Sequence, residues 1–151
     1  MENNYFEEFE EMEAEKGMTV VACYPGKTAQ VIEIDGSLES MQQFVGGYIE
    51  AVYPFDDPVA IICNEEGKLN GLPLNRALYN EDGEMFDIAH GNIIICGLGE
   101  EDFTSLSEDM VQKYKRMFAQ PEVFLQTQSS LLILPYAMDE FSSRDDGDLE
   151  R

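Results

Sequence analysis

Apolar and polar positions along the chain change period several times, and each change marks an element. Tyr5, Phe9 and Met12 recur at i, i+4 and i+7 with Phe6 beside them, so the N-terminus predicts an acidic amphipathic helix. From Met18 the pattern becomes that of strands. Thr19 to Tyr24 is β-rich, Pro25-Gly26-Lys27 carries turn chemistry and Ala29 to Ile34 resumes a strand, which together predict a β-hairpin. Leu38, Met41, Gln42 and Val45 then fall on one face of a helix. Ser37 or Asp35 stands where a side-chain oxygen can accept from the free N–H groups of its first turn, and Gly46-Gly47 stops it.

Tyr48 to Phe55 and Val59 to Cys63 read as strands, separated by Pro54 and Asp56-Asp57-Pro58. Leu69 to Leu78 predicts a loop leading into a short helix. Asn80-Glu81-Asp82-Gly83 is a turn, and Phe86 to Ala89 with Asn92 to Gly97 predicts a closing pair of strands about His90-Gly91. Glu108 to Ala119, preceded by Ser105 and Ser107 and followed by Pro121, predicts a second helix with Met110, Tyr114 and Met117 or Phe118 on its apolar face. After polar Gln126 to Ser130, the apolar run Leu131 to Tyr136 is expected as an extra edge strand in preference to a docking segment. The order predicts an α+β fold, a mostly antiparallel sheet with two main helices packed on it. It divides the chain into an acidic N-terminal extension (1–17), a single α+β domain (18–125) and a C-terminal extension with an apolar segment and an acidic tail (126–151).

Length and composition fit one folded domain: 151 residues, of which 44% are hydrophobic and 11% aromatic. Charge changes the picture. Acids number 31 against 9 Lys and Arg, a net charge of -22. Such a surface repels DNA, RNA and anionic membranes and favours partners rich in Lys and Arg. The acids are dense in both tails but also run through the middle, so acidity belongs to the domain as well as its ends. Cys23, Cys63 and Cys96 are odd in number and sit in apolar strand-like runs, as buried free thiols do. With an acidic N-terminus lacking an apolar h-region and no run long enough to span a bilayer, the expected compartment is the reducing cytoplasm.

Candidate chemistry is sparse. A nucleophile–base arrangement could be built only around His90, which a turn position accounts for more simply. No Cys-x-x-Cys or His-x-x-x-His spacing suggests a metal, and Asn80 to Glu84 lacks the alternating ligands of a calcium loop. No cofactor or metal and no enzymatic activity are expected. Gly97-Leu98-Gly99 is followed by Glu100-Glu101-Asp102, three acids where a phosphate-binding loop wants none. Adjacent acids in turns are ordinarily solvated surface, so acid pairs alone do not indicate acid–base catalysis. The stretch Asn64 to Arg76 stands apart, with Asn64, Asn70, Asn75, Lys68 and Arg76 gathered among Gly and Pro. Such residues either hold a ligand or satisfy turn backbone groups.

That stretch also carries a likeness. Pro25-Gly26-Lys27, Ile34-Asp35-Gly36, Gln42, Val45-Gly46-Gly47-Tyr48-Ile49-Glu50, Asn64-Glu65-Glu66-Gly67-Lys68, Gly71-Leu72-Pro73-Leu74-Asn75-Arg76 and Gly97-Leu98-Gly99 resemble an uncharacterised bacterial and phage domain family. The resemblance covers about residues 18–125. The family is common on mobile elements of gut Firmicutes, which implies a role in the biology of such elements and no particular activity.

Charge and resemblance together lead to one main expectation. It is a non-catalytic acidic protein that inhibits a host protein with a basic surface, such as a defence nuclease, by imitating a polyanion in the manner of anti-CRISPR or antirestriction proteins. Glu7, Glu8, Glu10, Glu11, Glu65, Glu66, Glu100, Glu101 and Asp102 are its candidate contacts. The alternatives are a protein that sequesters a nucleotide signal through Lys68, Asn70, Asn75 and Arg76, with Tyr48 or Tyr53 stacking on a base, and a regulatory protein of unknown partner. A homodimer is compatible with each.

Overall fold

Three strands carry apolar side chains at consecutive positions, where a half-exposed strand would alternate. A computed structural model of the chain describes residues 17–136 and gives the reason. β1 (Met18–Cys23), β4 (Val59–Asn64) and β7 (Ile93–Leu98) form the middle of a six-stranded antiparallel sheet and are buried on both faces. Its order is β2-β1-β7-β4-β3, where β2 is Gln30–Ile34 and β3 is Ile49–Val52, and a short β8 (Phe103–Thr104) also pairs with β7. The two faces collect two separate cores. Val20, Ala60, Ile62, Ile94 and Cys96 cluster with Met41 and Val45 of helix α1 (Leu38–Val45). Val21, Ile61, Ile93 and Ile95 cluster with Val111 and Tyr114 of helix α2 (Glu108–Met117), Phe118 just beyond it, and Leu78 and Ala89 of a two-stranded sheet, β5 (Leu74–Tyr79) with β6 (Met85–His90). Each fully buried isoleucine is worth roughly 1.5–3 kcal/mol, so the Ile93-Ile94-Ile95 run of the middle strand ties both layers to one backbone.

The helix ends follow local chemistry. Ser37 caps α1, its Oγ accepting from the Ser40 N–H at 3.0 Å, while Asp35 Oδ1 accepts from the N–H (2.9 Å) and Oγ–H (2.7 Å) of Ser37. Both candidate caps are thus used, one holding the other. Gly46 ends the helix in the left-handed conformation, φ 85°, and a Cβ on Gly47 would lie 2.9 Å from Asn64 Nδ2. Ser107 caps α2, whereas Ser105 Oγ accepts from the Thr19 N–H at 2.9 Å and fastens β1. On α2, Phe118 follows Tyr114 inward and Met117 is left 48% exposed.

The fold is α+β with mostly antiparallel strands, distributed over one six-stranded and two two-stranded sheets. Two expectations are corrected. Leu74 to Leu78 is a strand, not a short helix, because it pairs with β6 and buries Asn75, Arg76, Ala77 and Leu78 consecutively. The strands flanking His90-Gly91 do not pair with each other: β6 pairs with β5, and β7 lies between β1 and β4. Leu131 to Tyr136 does contain a strand. β10 (Leu131–Pro135) pairs with β9 (Glu122–Gln126) in a hairpin of its own, which spans the boundary expected at residue 125.

One buried side chain joins these parts. Arg76, 1% exposed, donates from Nε and Nη2 to the Phe118 carbonyl (3.2 and 2.9 Å), from Nη2 to the Lys27 carbonyl (2.7 Å) and from Nη1 to Asn75 Oδ1 (2.8 Å). Asn75 Nδ2 donates in turn to the carbonyls of Cys23 (2.9 Å) and Gly91 (2.7 Å). Phe118 is the C-cap of α2, where unpaired carbonyls and the helix dipole favour a cation. No carboxylate of the described residues lies within ion-pair distance of Arg76. Arg76→Lys cannot reproduce this planar set of donors. It is expected to destabilise by about 1.5–3 kcal/mol, the range for a hydrogen bond to a charged group, read from the urea midpoint at unchanged m. A loss under about 1 kcal/mol would mean that the guanidinium does not clamp the fold.

Candidate functional site

The stretch Asn64 to Arg76 is mostly internal scaffolding. Asn64 Nδ2 donates to the Val45 carbonyl at 3.0 Å and its Oδ1 accepts from the Glu66 N–H at 2.7 Å, which closes the turn after β4. Asn75 and Arg76 are buried and their side chains are engaged in the internal bonds described, although Arg76 also borders the larger cleft described below. Lys68 is exposed and paired with Asp87, and Asn70 is exposed in the turn. Tyr48 is 70% exposed and Tyr53 59%, but they flank β3 at its two ends. The residues proposed to hold a nucleotide therefore do not converge.

Two clefts border the β5–β6 hairpin. The smaller, about 240 Å³, is lined by Glu50, Cys63, Glu65, Lys68, Asp87 and His90 among others. His90 is the last residue of β6, just before the Gly91 turn, with Nδ1 3.1 Å from the Leu72 carbonyl. Burial pushes the Cys63 pKa up to about 11, which favours the protonated thiol at neutral pH. The larger cleft, about 320 Å³, runs between β5, α2 and β9 and is walled by Phe55, Tyr79, Met117 and Phe118. Among the described residues, no group of three or more His, Cys, Asp or Glu is disposed to hold a metal.

The strongest electrostatic feature comes from topology. β1 and β4 begin, and β2, β3 and β7 end, at the same end of the main sheet. Both helices begin there too, α1 from the end of β2 and α2 beside Thr19, where the Leu106 N–H donates to the Thr19 carbonyl at 3.0 Å. This brings together Asp35 and Glu39 at the start of α1, Asp56 and Asp57 before β4, Glu100, Glu101 and Asp102 after β7, and Glu108 and Asp109 in the first turn of α2. Glu81 joins them from the β5–β6 turn, its Oε2 accepting from the Asp56 N–H at 2.8 Å. Among the described residues Lys113 is the basic residue there. Lys27 and Lys68 lie in turns at the opposite end, with Lys115 and Arg116 in the last turn of α2.

Of the candidate partner contacts, Glu100, Glu101 and Asp102 belong to this acidic end and are exposed. Glu65 and Glu66 lie at the other end, after β4. Glu7, Glu8, Glu10 and Glu11 lie outside the described residues, though the chain they belong to joins the fold at Gly17, on the acidic end. Sequence reading missed Asp35, Glu39, Asp56, Asp57, Glu81, Glu108 and Asp109 as members. Their separation along the chain hides the grouping, and only the strand order could have revealed it.

Within the cluster Asp57 is the member bonded to a lysine. Its Oδ2 accepts from Lys113 Nζ at 2.6 Å and from the Tyr114 hydroxyl at 2.7 Å. These bonds, that of Lys113 first, hold the Asp57 carboxyl below its ordinary pKa. Lys113 is pushed up, chiefly by Asp57, and Tyr114 is pushed up by burial and then by Asp57. The Asp35 carboxyl is likewise lowered, first by the Ser37 backbone N–H.

The fold and its charge define a small α+β domain with one acidic pole. The chain belongs to the family described as a domain of unknown function (DUF3846), whose model matches residues 18–119. No curated protein and no solved structure matches it.

Because the Asp57 pKa is lowered on folding, its stabilisation is fully present above the unfolded value of about 3.9. It is lost as pH falls through the lower folded value. Asp57→Asn is therefore expected to lower the melting midpoint at pH 7 and to converge on the wild type as pH falls through the lowered folded value. Thermal unfolding at neutral and acid pH checks this, and an equal gap at both would remove the carboxylate from the account.

Proposed function

We propose that this protein is a non-catalytic acidic interaction protein of a mobile genetic element, acting in the cytoplasm as a counter-defence inhibitor. On this reading it occupies the basic surface of a host nucleic-acid-binding protein, of the kind met by anti-CRISPR or antirestriction proteins. One observation carries it: carboxylates from both helix starts and several sheet turns meet at one pole, with Lys113 as the basic residue among them. Duplex DNA presents about one charge per 1.7 Å of axis, and proteins that bind it do so by matching a dense anionic surface with Lys and Arg. An acidic pole of this density competes for the same groups, and the repulsion that excludes nucleic acid from it attracts a nuclease channel. The resemblance to a family of mobile elements supplies the class of partner.

The test uses the full chain immobilised against host lysate. Proteins that normally bind nucleic acid should be retained at low salt, released by added DNA, and lost when Glu100→Gln, Glu101→Gln and Asp102→Asn are combined. Glu65→Gln with Glu66→Gln, at the opposite pole, should leave retention unchanged. Retention that ignores DNA, or that the triple variant leaves intact, defeats the proposal.

A further inference from the structure

We propose that the outward face of the β9–β10 hairpin is a self-association surface, and that its occupant is the same hairpin of a second copy of this chain. The hairpin register sets Leu125 opposite Leu132 and Val123 opposite Leu134. These four side chains share one face and are 37–47% exposed, with Tyr136 beside them at 42%. The other face carries Phe124, Leu131 and Ile133, all half-buried. A surface hairpin ordinarily buries one face and shows water a polar one; this one is apolar on both. A two-stranded hairpin is marginal by itself, so an open aliphatic face is a cost that a covering surface removes.

Charge selects the occupant. From Pro121 to Tyr136 the charged residue is Glu122, whose Oε1 already accepts from the Ala77 N–H at 2.9 Å. In a chain of net charge -22, this is the surface on which a second copy can come close without setting carboxylate against carboxylate. A basic partner finds nothing to pair with here. Among the described residues β10 pairs with β9 alone. Packing of this face on the same face of the second copy is self-complementary, as a two-fold contact requires. The two aliphatic faces then cover each other. A standard interface takes roughly 20–30 residues a side, and this face offers Val123, Leu125, Leu132, Leu134 and Tyr136 as its exposed apolar side chains, so the dimer is expected to be weak and reversible.

Its salt dependence is the signature. Two polyanions repel, and salt screens that repulsion while leaving apolar contact intact. Analytical ultracentrifugation of the full chain should show the dimer Kd tightening about tenfold or more between roughly 0.02 and 0.5 M NaCl. Leu125→Glu with Leu132→Glu should give a monomer at both. Should that variant fail to fold, hydrogen exchange on the wild-type chain decides instead: the β10 amides should become protected as concentration rises. A monomer under all conditions, a dimer that weakens with salt, or β10 exchange independent of concentration overturns the proposal. Binding of a basic partner at the acidic pole weakens with salt, so the two proposals stand or fall separately.

Discussion

The structure depends on a buried charge held chiefly by backbone carbonyls. Arg76 is held by carbonyl oxygens from the end of α2 and the β1–β2 turn, and by the Asn75 amide that in turn grips β1 and the turn before β7. A buried guanidinium with no direct ion pair among the described residues is tolerable because its donors meet the partial negative charge of backbone dipoles, most of all at a helix C-terminus, with the Glu122 carboxylate acting from farther off. The arrangement also explains why the β5–β6 hairpin stays on the sheet although it belongs to a separate ladder. Its attachment is polar here and at Glu81, whose carboxylate accepts from the Asp56 N–H, and apolar through Leu78 and Ala89.

The same alignment of helices shapes the opposite pole. Both helices start among the acids, so their positive ends and free N–H groups face Asp35, Glu39, Glu108 and Asp109. Carboxylates that would repel one another in a turn are thereby partly compensated by backbone. Lys113 and the Tyr114 hydroxyl do the same for Asp57. Acid density here is compatible with a stable fold because the fold supplies fixed dipoles of the opposite sign.

Much of the architecture was legible in the sequence where a local rule sufficed. The first hairpin, both helices, their serine caps and the Gly46-Gly47 stop follow from periodicity and capping chemistry. The misread segments are those decided by distant partners. Leu74 to Leu78 holds Asn and Arg, which local propensity assigns to a loop, and only the carbonyls of Cys23, Lys27, Gly91 and Phe118 make their burial as a strand intelligible. Phe86 to Ala89 and Asn92 to Gly97 looked like neighbours because they are adjacent in sequence, yet β7 is claimed by the buried strands β1 and β4 on either side of it. The candidate site shows the same division: Glu100-Glu101-Asp102 is visible as a run, whereas its companions come from turns scattered between residues 35 and 109.

Two of the three thiols sit on opposite faces of the main sheet. Cys23 belongs to the core under α2 and Cys96 to the core under α1; both are fully buried, and burial raises both pKa values to about 12. A thiol reagent can reach either only when the layer above it lifts. The rates at which the two are labelled in the native protein would therefore time the opening of each layer separately, making the molecule its own pair of clocks for local unfolding.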